Sequence, residues 1–512
     1  MVPVVSAVGL ALRAPRMQLL LDYWDVLNEV TNDDGSLVLR EVFTYHLQHP
    51  FAIPSLIFWA DAALFGADNR VLTLSAVALS CAIVLVLCLM VPVGIGRYGR
   101  VALVVAFSFV LLSTHGVEWW SQASNGISWL PALFLSVLAI FLMHRGRPLW
   151  SWTAAAAGCL SFGSALAVWP AVALVAWLRR DARWTVVTPL VAGLVGIVVW
   201  SVTKPDCMYS TEFEPDRWLA VFLTLLGGLW TSGTVDVAII MGGVVFTGIV
   251  LCGLPLILRR SGVDAEAGWD GLAGFAFALG AMLAVVRVPI SGDNIGLVSR
   301  YSAVAMLATC ALLVLLALRV RERGSVHMIA VAITVGLVTY ATGVPNVRAI
   351  QSDYAARGVA TVAMRVNAVE AMKALRIQPA VVPAAKELGA YPFTDDFTLG
   401  CGGRELGTRV DPLSVREISG SASTGAAVDN AEVRGDVLLS GWAFVEGRQV
   451  DCVLVIDSAG VVVGGGITGI ARPDARQQVP GGSGEAGWRA VAASGAKDLV
   501  IVVSSGGVFY RI

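Results

Sequence analysis

From Val71 to Val93 the chain runs for the thickness of a bilayer without one charged side chain, and from Val235 to Leu258 without one basic residue. About 20 such residues wound as a helix cross the hydrocarbon core, and lipid leaves an open chain no other way to pair its backbone. The pattern recurs, and spans are predicted at 71–93, 100–115, 126–143, 184–202, 236–258, 269–287, 301–319 and 326–344. Composition agrees: mean hydropathy is +0.74 and only 14% of residues are charged, against about 25% in a soluble domain. The expected class is a multi-pass α-helical membrane protein. With a net charge of −1, nothing global points to a nucleic acid. The eight cysteines include no CxxC pair and no Cys/His cluster of metal spacing.

Basic residues set the expected topology. The apolar stretch from Trp150 to Trp177 is interrupted at 161–164 and at Trp169-Pro170, with Arg145 and Arg147 before it and Arg179, Arg180 and Arg183 after it. Cytoplasmic loops collect Lys and Arg, so both flanks belong inside, and a hairpin of two short helices turning at Phe162-Gly163 is predicted. The Gly- and Trp-rich stretch from Trp218 to Trp230 is read as an interfacial helix on the outer face. Val2 to Leu12 is too short to cross and runs into Arg13 and Arg16, so either a short first helix exists or the start lies upstream. With one N-terminal crossing the count is about eleven, in the plasma membrane, with a cytoplasmic N-terminus and an extracytoplasmic C-terminus. Arg97 and Arg100, the Arg145 region, Arg179 to Arg183, Arg259 and Arg260, and Arg319 to Arg323 then all fall inside.

Four segments face outward in this topology. The first, 21–70, holds Asp22, Asp25, Glu29, Asp33, Asp34, Glu41, His46 and His49 among Tyr23, Trp24, Phe43 and Tyr45. The second, 115–125, holds Glu118, Trp119, Trp120 and Gln122. The third, 204–217, holds Asp206, Glu212, Glu214 and Asp216; the fourth, 287–301, holds Asp293, Asn294, Ser299 and Arg300 and ends on Tyr301. Acids beside aromatics at the lip of a bundle suit a sugar site, because a carboxylate takes a hydroxyl proton and aromatic faces stack on sugar rings. Arg287 and Arg300 bracket one outer loop, and an arginine fork suits a lipid-linked phosphate. The plain alternatives are that outer loops are polar because water wets them and that arginines at helix ends snorkel. His46 and His49 are either substrate contacts or packed loop histidines. The predicted spans are nearly free of ionisable residues, which speaks against an ion-coupled transporter. Asp61 is read as structural, capping or pairing with a neighbour.

The strings Asp22-Tyr-Trp-Asp25, His49-Pro-Phe-Ala-Ile-Pro54 and Trp59-Ala-Asp61-Ala-Ala-Leu-Phe-Gly66 resemble the GT-C class of polytopic bacterial glycosyltransferases. Ser161-Phe-Gly-Ser164, Trp169-Pro170 and Ser299-Arg300-Tyr301 extend the resemblance over roughly residues 20–320. It implies transfer of a sugar from a polyprenyl-phosphate donor to a cell-envelope glycan or glycolipid on the outer face, by an inverting displacement. The base would be Asp22 or Asp25, and the donor phosphate would be held by Arg287, Arg300 and Tyr301. His46, His49, Glu118, Trp119 and Trp120 would contact substrate. Some relatives use a divalent metal, Mg or Mn; the acids of the first loop are candidate ligands, though their spacing does not demand one. Relatives carry Asn-Glu-His-Arg where this chain has Leu47-Gln48-His49-Pro50, so only the histidine is kept. The remaining readings are a lipid or glycolipid transporter and a non-catalytic envelope assembly protein.

Beyond residue 345 hydropathy falls. The expected division is a transmembrane domain over 1–344, a helical and irregular extracytoplasmic connector over 345–426, and an all-β sandwich over 427–512. Helical spacing runs from Asn346 to Leu388, a polar linker from Ser419 to Asn430, and strands over 437–444, 453–457, 461–463 and 499–503, with turns at 458–460 and 480–484. Ser440-Gly-Trp-Ala-Phe444, Arg472-Pro-Asp474 and Gly487-Trp488 resemble β-modules appended to cell-surface glycosyltransferases. Trp442 and Trp488 are then either glycan platforms or core residues. Cys401 and Cys452 are candidates for a disulfide, with Cys207 as a competing partner.

Overall fold

The computed structural model describes residues 2–19, 21–206, 213–259, 265–288, 293–320, 325–418, 424–433, 437–475, 484–493, 495 and 498–512. Cys207, Glu212, Arg260, Arg321, Arg323, residues 419–423 of the predicted linker and the turn at Pro480 lie outside them, as do the side chains of Asp293 and Asn294. The chain divides into two compact units: Met1–Ala14, Leu39–Ile57 and Arg70–Arg348 form the first, and Pro15–Val38, Phe58–Asn69 and Ala349–Ile512 the second. The predicted boundary after 344 falls close to this division. The first polar loop is partitioned instead of staying with the spans, and 15–38 and 58–69 belong with the C-terminal part. Its helix Leu21–Val30 fully buries Tyr23, Trp24, Val26 and Leu27 and packs on the Pro379–Val381 turn.

Among the described residues eight helices are long and apolar enough to cross a membrane: Asn69–Met90, Arg97–Ser121, Ala123–His144, Arg183–Thr203, Val235–Pro255, Ala267–Arg287, Ser299–Arg319 and Val326–Arg365. They correspond one to one with the eight predicted spans. Shorter apolar helices cover Val2–Leu12, Ala52–Phe65 and Gly163–Leu178. Several hydroxyls in the long helices bond back to their own helix, which suits a segment in lipid: Ser80 donates to Ala76 O, Ser128 to Ser124 O and Ser136 to Ala132 O.

Side-chain bonds sort the helix termini of the first unit into two ends. At one, Arg145 donates to Leu89 O at 2.7 Å, Arg179 to His144 O at 2.6 Å and Trp269 Nε1 to Met90 O at 3.3 Å. Met90, His144, Glu266 and Leu318 line a common cavity there. At the other, Thr114 donates to Tyr340 O and Thr342 to Leu229 O, while Ser299 donates to His115 O. The predicted hairpin is explained by this sorting. Pro148–Ser161 runs back along Ala123–His144 and stops at Phe162, whose ring packs on Trp129. Val168–Leu178 then returns to the His144 end, where Arg179 caps the carbonyl of His144.

The segment read as an interfacial helix is different. Pro215–Gly227 packs along Val235–Arg259 and buries Val221, Thr224, Leu225 and Leu226. Two glycines permit this: a Cβ on Gly227 would stand 1.9 Å from Ala238 O, and one on Gly242 1.8 Å from Leu223 O. No side chain fits there, so the helix is a packed member of the bundle. A two-stranded hairpin, β1 (Tyr45–His46) and β2 (His49–Pro50), completes the described strands of this unit.

The second unit holds a cluster of short helices, Ala360–Arg365, Val369–Ala374 and Val382–Glu387, and one sheet of nine strands. These are β3 (Arg416–Glu417), β4 (Gly425–Val433), β5 (Val437–Val445), β6 (Arg448–Gln449), β7 (Cys452–Ile456), β8 (Val462–Ile470), β9 (Gly487–Ala492), β10 (Val500–Ser505) and β11 (Val508–Arg511). Their order is β3-β11-β10-β7-β8-β9-β5-β4, with β6 paired to β5. Every pairing is antiparallel except β11 with β3. The expected two-sheet sandwich is therefore corrected to a single sheet curled into a half-barrel. The reason lies in β7, which is buried at every position. Val453 and Val455 point into one core with Leu439, Trp488, Ile501 and Val503. Cys452, Leu454 and Ile456 point into another with Val362, Leu399 and Val410. Helix and loop residues cover the second face, so no second sheet is needed. Cys401 and Cys452 are disulfide-bonded across 51 residues, a loop closure that stabilises by about 4 kcal/mol in the chain-entropy account. Residues 425–430, predicted as linker, are instead part of β4.

Candidate functional site

In the first unit the chain between Leu111 and Ala123 turns through a 3-10 segment, Thr114–Gly116, and a single helical turn, Val117–Ser121. This places Glu118 against Ser299 and Arg300. Glu118 N donates to Ser299 Oγ at 3.1 Å, and Ser299 Oγ donates to His115 O at 2.6 Å. The Glu118 carboxylate accepts the backbone N–H of Arg300 at 3.0 Å and the Asn125 amide at 3.0 Å. The Arg300 guanidinium stands 3.5 Å from the same carboxylate. His115 is buried behind this network. Its Nε2 lies 3.2 Å from Thr342 Oγ1 and its Nδ1 3.4 Å from the Asn346 amide, and Thr342 Oγ1 donates to Leu229 O at 2.6 Å.

Both arginines stand near the ring of Tyr301. Its ring is buried, with the Arg300 guanidinium 5.3 Å and the Arg287 guanidinium 5.8 Å from its centroid. A ring face attracts a cation by about 0.5–2 kcal/mol, according to how far both are desolvated. The two arginines differ in their partners. Arg300 has Glu118; Arg287 has no acid partner among the described residues, and its Nε is buried with no acceptor among them. Behind Tyr301 an aromatic row continues through Trp129 at 5.4 Å and Phe162 at 4.8 Å to His49, which stacks on Phe162 at 4.0 Å. Phe51 lies 6.1 Å from Phe162 and 5.2 Å from His46. One continuous set of contacts thus joins His46, His49, Glu118, Arg287, Arg300 and Tyr301.

Trp119 and Trp120 are placed otherwise. They pack edge to face at 5.7 Å and are buried, Trp119 beside Ser80, Leu130 and Met306. Trp442 and Trp488 of the second unit are also buried, Trp442 against Phe444, Ala475 and Ala486, and Trp488 in the concave core of the sheet. Their place is that of core residues.

Asp22 and Asp25 are half-buried on the helix Leu21–Val30 in the second unit. Between them Tyr23 and Trp24 are fully buried; the Tyr23 hydroxyl donates to Asp61 Oδ2 at 2.8 Å, and Trp24 Nε1 donates to Gln18 O at 2.8 Å. Burial holds the Asp61 carboxyl up at about 7, a rise opposed by the Tyr23 hydrogen bond and assisted by the charge of Asp68. No group of three or more His, Cys, Asp or Glu among the described residues fits a metal ion. Trp129, Phe162 and Asn125 were not singled out as site residues by the sequence. Trp129 sits inside an apolar run where an aromatic reads as lipid-facing or core, and no local signal distinguishes it. Compared with known proteins, the chain matches no family model, no curated protein and no solved structure.

Proposed function

We propose that this chain is a membrane glycosyltransferase that moves a sugar from a polyprenyl-phosphate donor to a cell-envelope glycan or glycolipid on the outer face of the plasma membrane. The observation that carries the reading is Arg287, a guanidinium with a buried Nε–H and no acid partner among the described residues, sharing the Tyr301 ring with Arg300. A buried donor without an acceptor costs about 1–3 kcal/mol, and a charged one more. A phosphate oxygen removes that cost and pairs with a planar fork of donors. Arg300 is paired with the Glu118 carboxylate and Arg287 with no acid among the described residues, which leaves a net positive charge for an anion.

In this reading the donor phosphate lies against Arg287 and Arg300 with its lipid tail in the bilayer. Asp22 or Asp25 takes the proton of the acceptor hydroxyl, and the oxygen attacks the anomeric carbon. The bond from that carbon to the phosphate oxygen breaks, and its electron pair leaves with the polyprenyl phosphate, whose charge the arginines stabilise. Glu118 is already engaged by Arg300 and Asn125, which suits it to hold the site and not to act as base. Two observations support an outward-facing Tyr301 end. The last long helix reaches Thr342 at that end, and the disulfide of the chain that follows belongs to an oxidising compartment. Arg145, Arg179 and Arg319 gather at the opposite end.

The test is sugar transfer from radiolabelled polyprenyl-phosphate sugars in membranes carrying the chain, with Asp22→Asn and Asp25→Asn as companions. Transfer by wild type and its loss in one variant at equal expression supports the enzyme and names the base. Wild type that moves no sugar from any donor overturns the reading in favour of lipid transport or envelope assembly.

A further inference from the structure

The segment that carries the β1–β2 hairpin has an apolar edge that the arginine site does not use. Leu39, Phe43 and Leu47 recur every four residues and are 61%, 66% and 67% exposed. Leu47 holds this position with φ at 55°, in the left-handed region, where a bulky aliphatic side chain is disfavoured and Asn or Gly is at ease. The rest of the hairpin is fixed. His49 stacks on Phe162, and Trp200 Nε1 donates to Gln48 O at 2.8 Å. Thr203 gives its own proton to Val199 O, so the Tyr45 hydroxyl is the donor in its 2.7 Å bond to Thr203 Oγ1.

Both of those bonds end on the helix Arg183–Thr203, the least buried of the eight long helices. Leu194, Val198 and Val202 point outward from it, and so large an apolar surface needs lipid to cover it. At its end the Lys204 ammonium lies 4.9 Å from the Trp200 ring centre. Tryptophan with a cation at the end of such a helix marks the polar boundary of a bilayer. The Arg40 side chain, 92% exposed, adds a second cation beside Leu39. The apolar edge of the hairpin is therefore continuous with a lipid-facing helix at the level of the headgroups.

We infer that residues 39–50 form an interfacial anchor, with Leu39, Phe43 and Leu47 set among the acyl chains of the leaflet at the Tyr301 end and Arg40 and Lys204 on anionic headgroups. Elements of this kind sink roughly 5–10 Å into the headgroup–acyl boundary. The inference rests on membrane insertion alone and not on sugar transfer.

The experiment places one environment-sensitive fluorescent amino acid at position 47, and separately at 43, in the full chain in nanodiscs of phosphatidylcholine and phosphatidylglycerol. Nitroxide-bearing lipids and aqueous iodide serve as quenchers. Leu194, on the lipid-facing helix, and Leu413, 95% exposed in the second unit, are the reference positions. Expected at 43 and 47 is quenching by shallow nitroxide lipids roughly threefold or more above that at 413, with iodide quenching lower by a similar factor. Iodide quenching at both positions equal to that at 413, with no lipid quenching, overturns the inference. Lipid quenching absent at 194 as well overturns the membrane reading beneath it. A chain that fails to transfer sugar yet shows the expected quenching leaves the inference standing.

Discussion

The two ends of the helical bundle both carry arginines at helix termini, and they use them differently. At the Met90 end Arg145, Arg179 and Arg319 each donate to a backbone carbonyl, of Leu89, His144 and Cys252 respectively. Leu89 and His144 lie in the last turn of their helices, where carbonyls lack intrahelical donors and a cation also meets the negative end of the helix dipole. Those guanidiniums are occupied by the fold. At the Tyr301 end no carbonyl takes up Arg287 among the described residues; its guanidinium stands 5.8 Å from the Tyr301 ring centre, near which the Arg300 guanidinium also lies. A helix-end arginine becomes informative about ligands only after the fold's own acceptors have been counted.

The largest effect is therefore expected from Arg287→Ala, a loss of roughly 100–1,000-fold in transfer, the scale of one electrostatic stabiliser of a leaving group. Arg287→Lys should recover part of it, since charge is kept and the fork is lost. Steady-state kinetics in detergent or nanodiscs checks both, and an unchanged rate for Arg287→Ala removes the distinction between the ends.

Next in size is the buried carboxyl of the second unit. Asp61 is 2% exposed and accepts from the Tyr23 hydroxyl, where Glu118 has a guanidinium. Its folded value of about 7 lies above the ordinary carboxylate range. The folded state therefore holds a proton that the unfolded chain releases near pH 4. The stability this gives is full below pH 4 and is lost as pH rises to about 7. On the order of 1–4 kcal/mol should separate pH 5 from pH 8 in unfolding of wild type, and Asp61→Asn should flatten that slope. An unchanged slope in the variant assigns the pH dependence elsewhere.

Arg179→Ala should behave as the mirror of Arg287→Ala. It removes a charge-assisted bond to His144 O and lowers thermal stability by about 1–3 kcal/mol, while transfer per folded molecule stays the same. Glu118→Gln should give the smallest change. The amide still accepts from Arg300 N–H but loses its charge, so about a tenfold loss in transfer is expected, and Glu118→Asp should not restore it because the shorter chain cannot reach both Arg300 and Asn125.

The long spans were legible because each is an uninterrupted apolar run, and the helix pair about Phe162 because arginines flank it on both sides. Arg287, Arg300 and Tyr301 were legible as a group through their places at the two sides of one loop. That both guanidiniums stand near one ring centre, at 5.8 Å and 5.3 Å, was not, because it depends on how Ala267–Arg287 and Ser299–Arg319 pack. The tight packing of the segment 218–230 on Val235–Arg259 was not legible, because the 1.8 Å and 1.9 Å approaches at Gly242 and Gly227 depend on a partner distant in sequence. In the C-terminal unit β8 was cut short at Val463 because glycine is a poor strand former. There Gly464 and Gly466 are required, since a Cβ on either would stand within 2.1 Å of a carbonyl of β9. The sandwich expectation failed because alternation along a strand shows that a face is buried and not what buries it.

Binding of radiolabelled polyprenyl phosphate, without any sugar, to the full chain in nanodiscs tests the central claim most directly, with wild type compared to Arg287→Ala and Arg179→Ala. The account predicts saturable binding by wild type and Arg179→Ala and affinity at least about tenfold weaker for Arg287→Ala, the loss of one charge-assisted fork. Equal affinity in all three contradicts it.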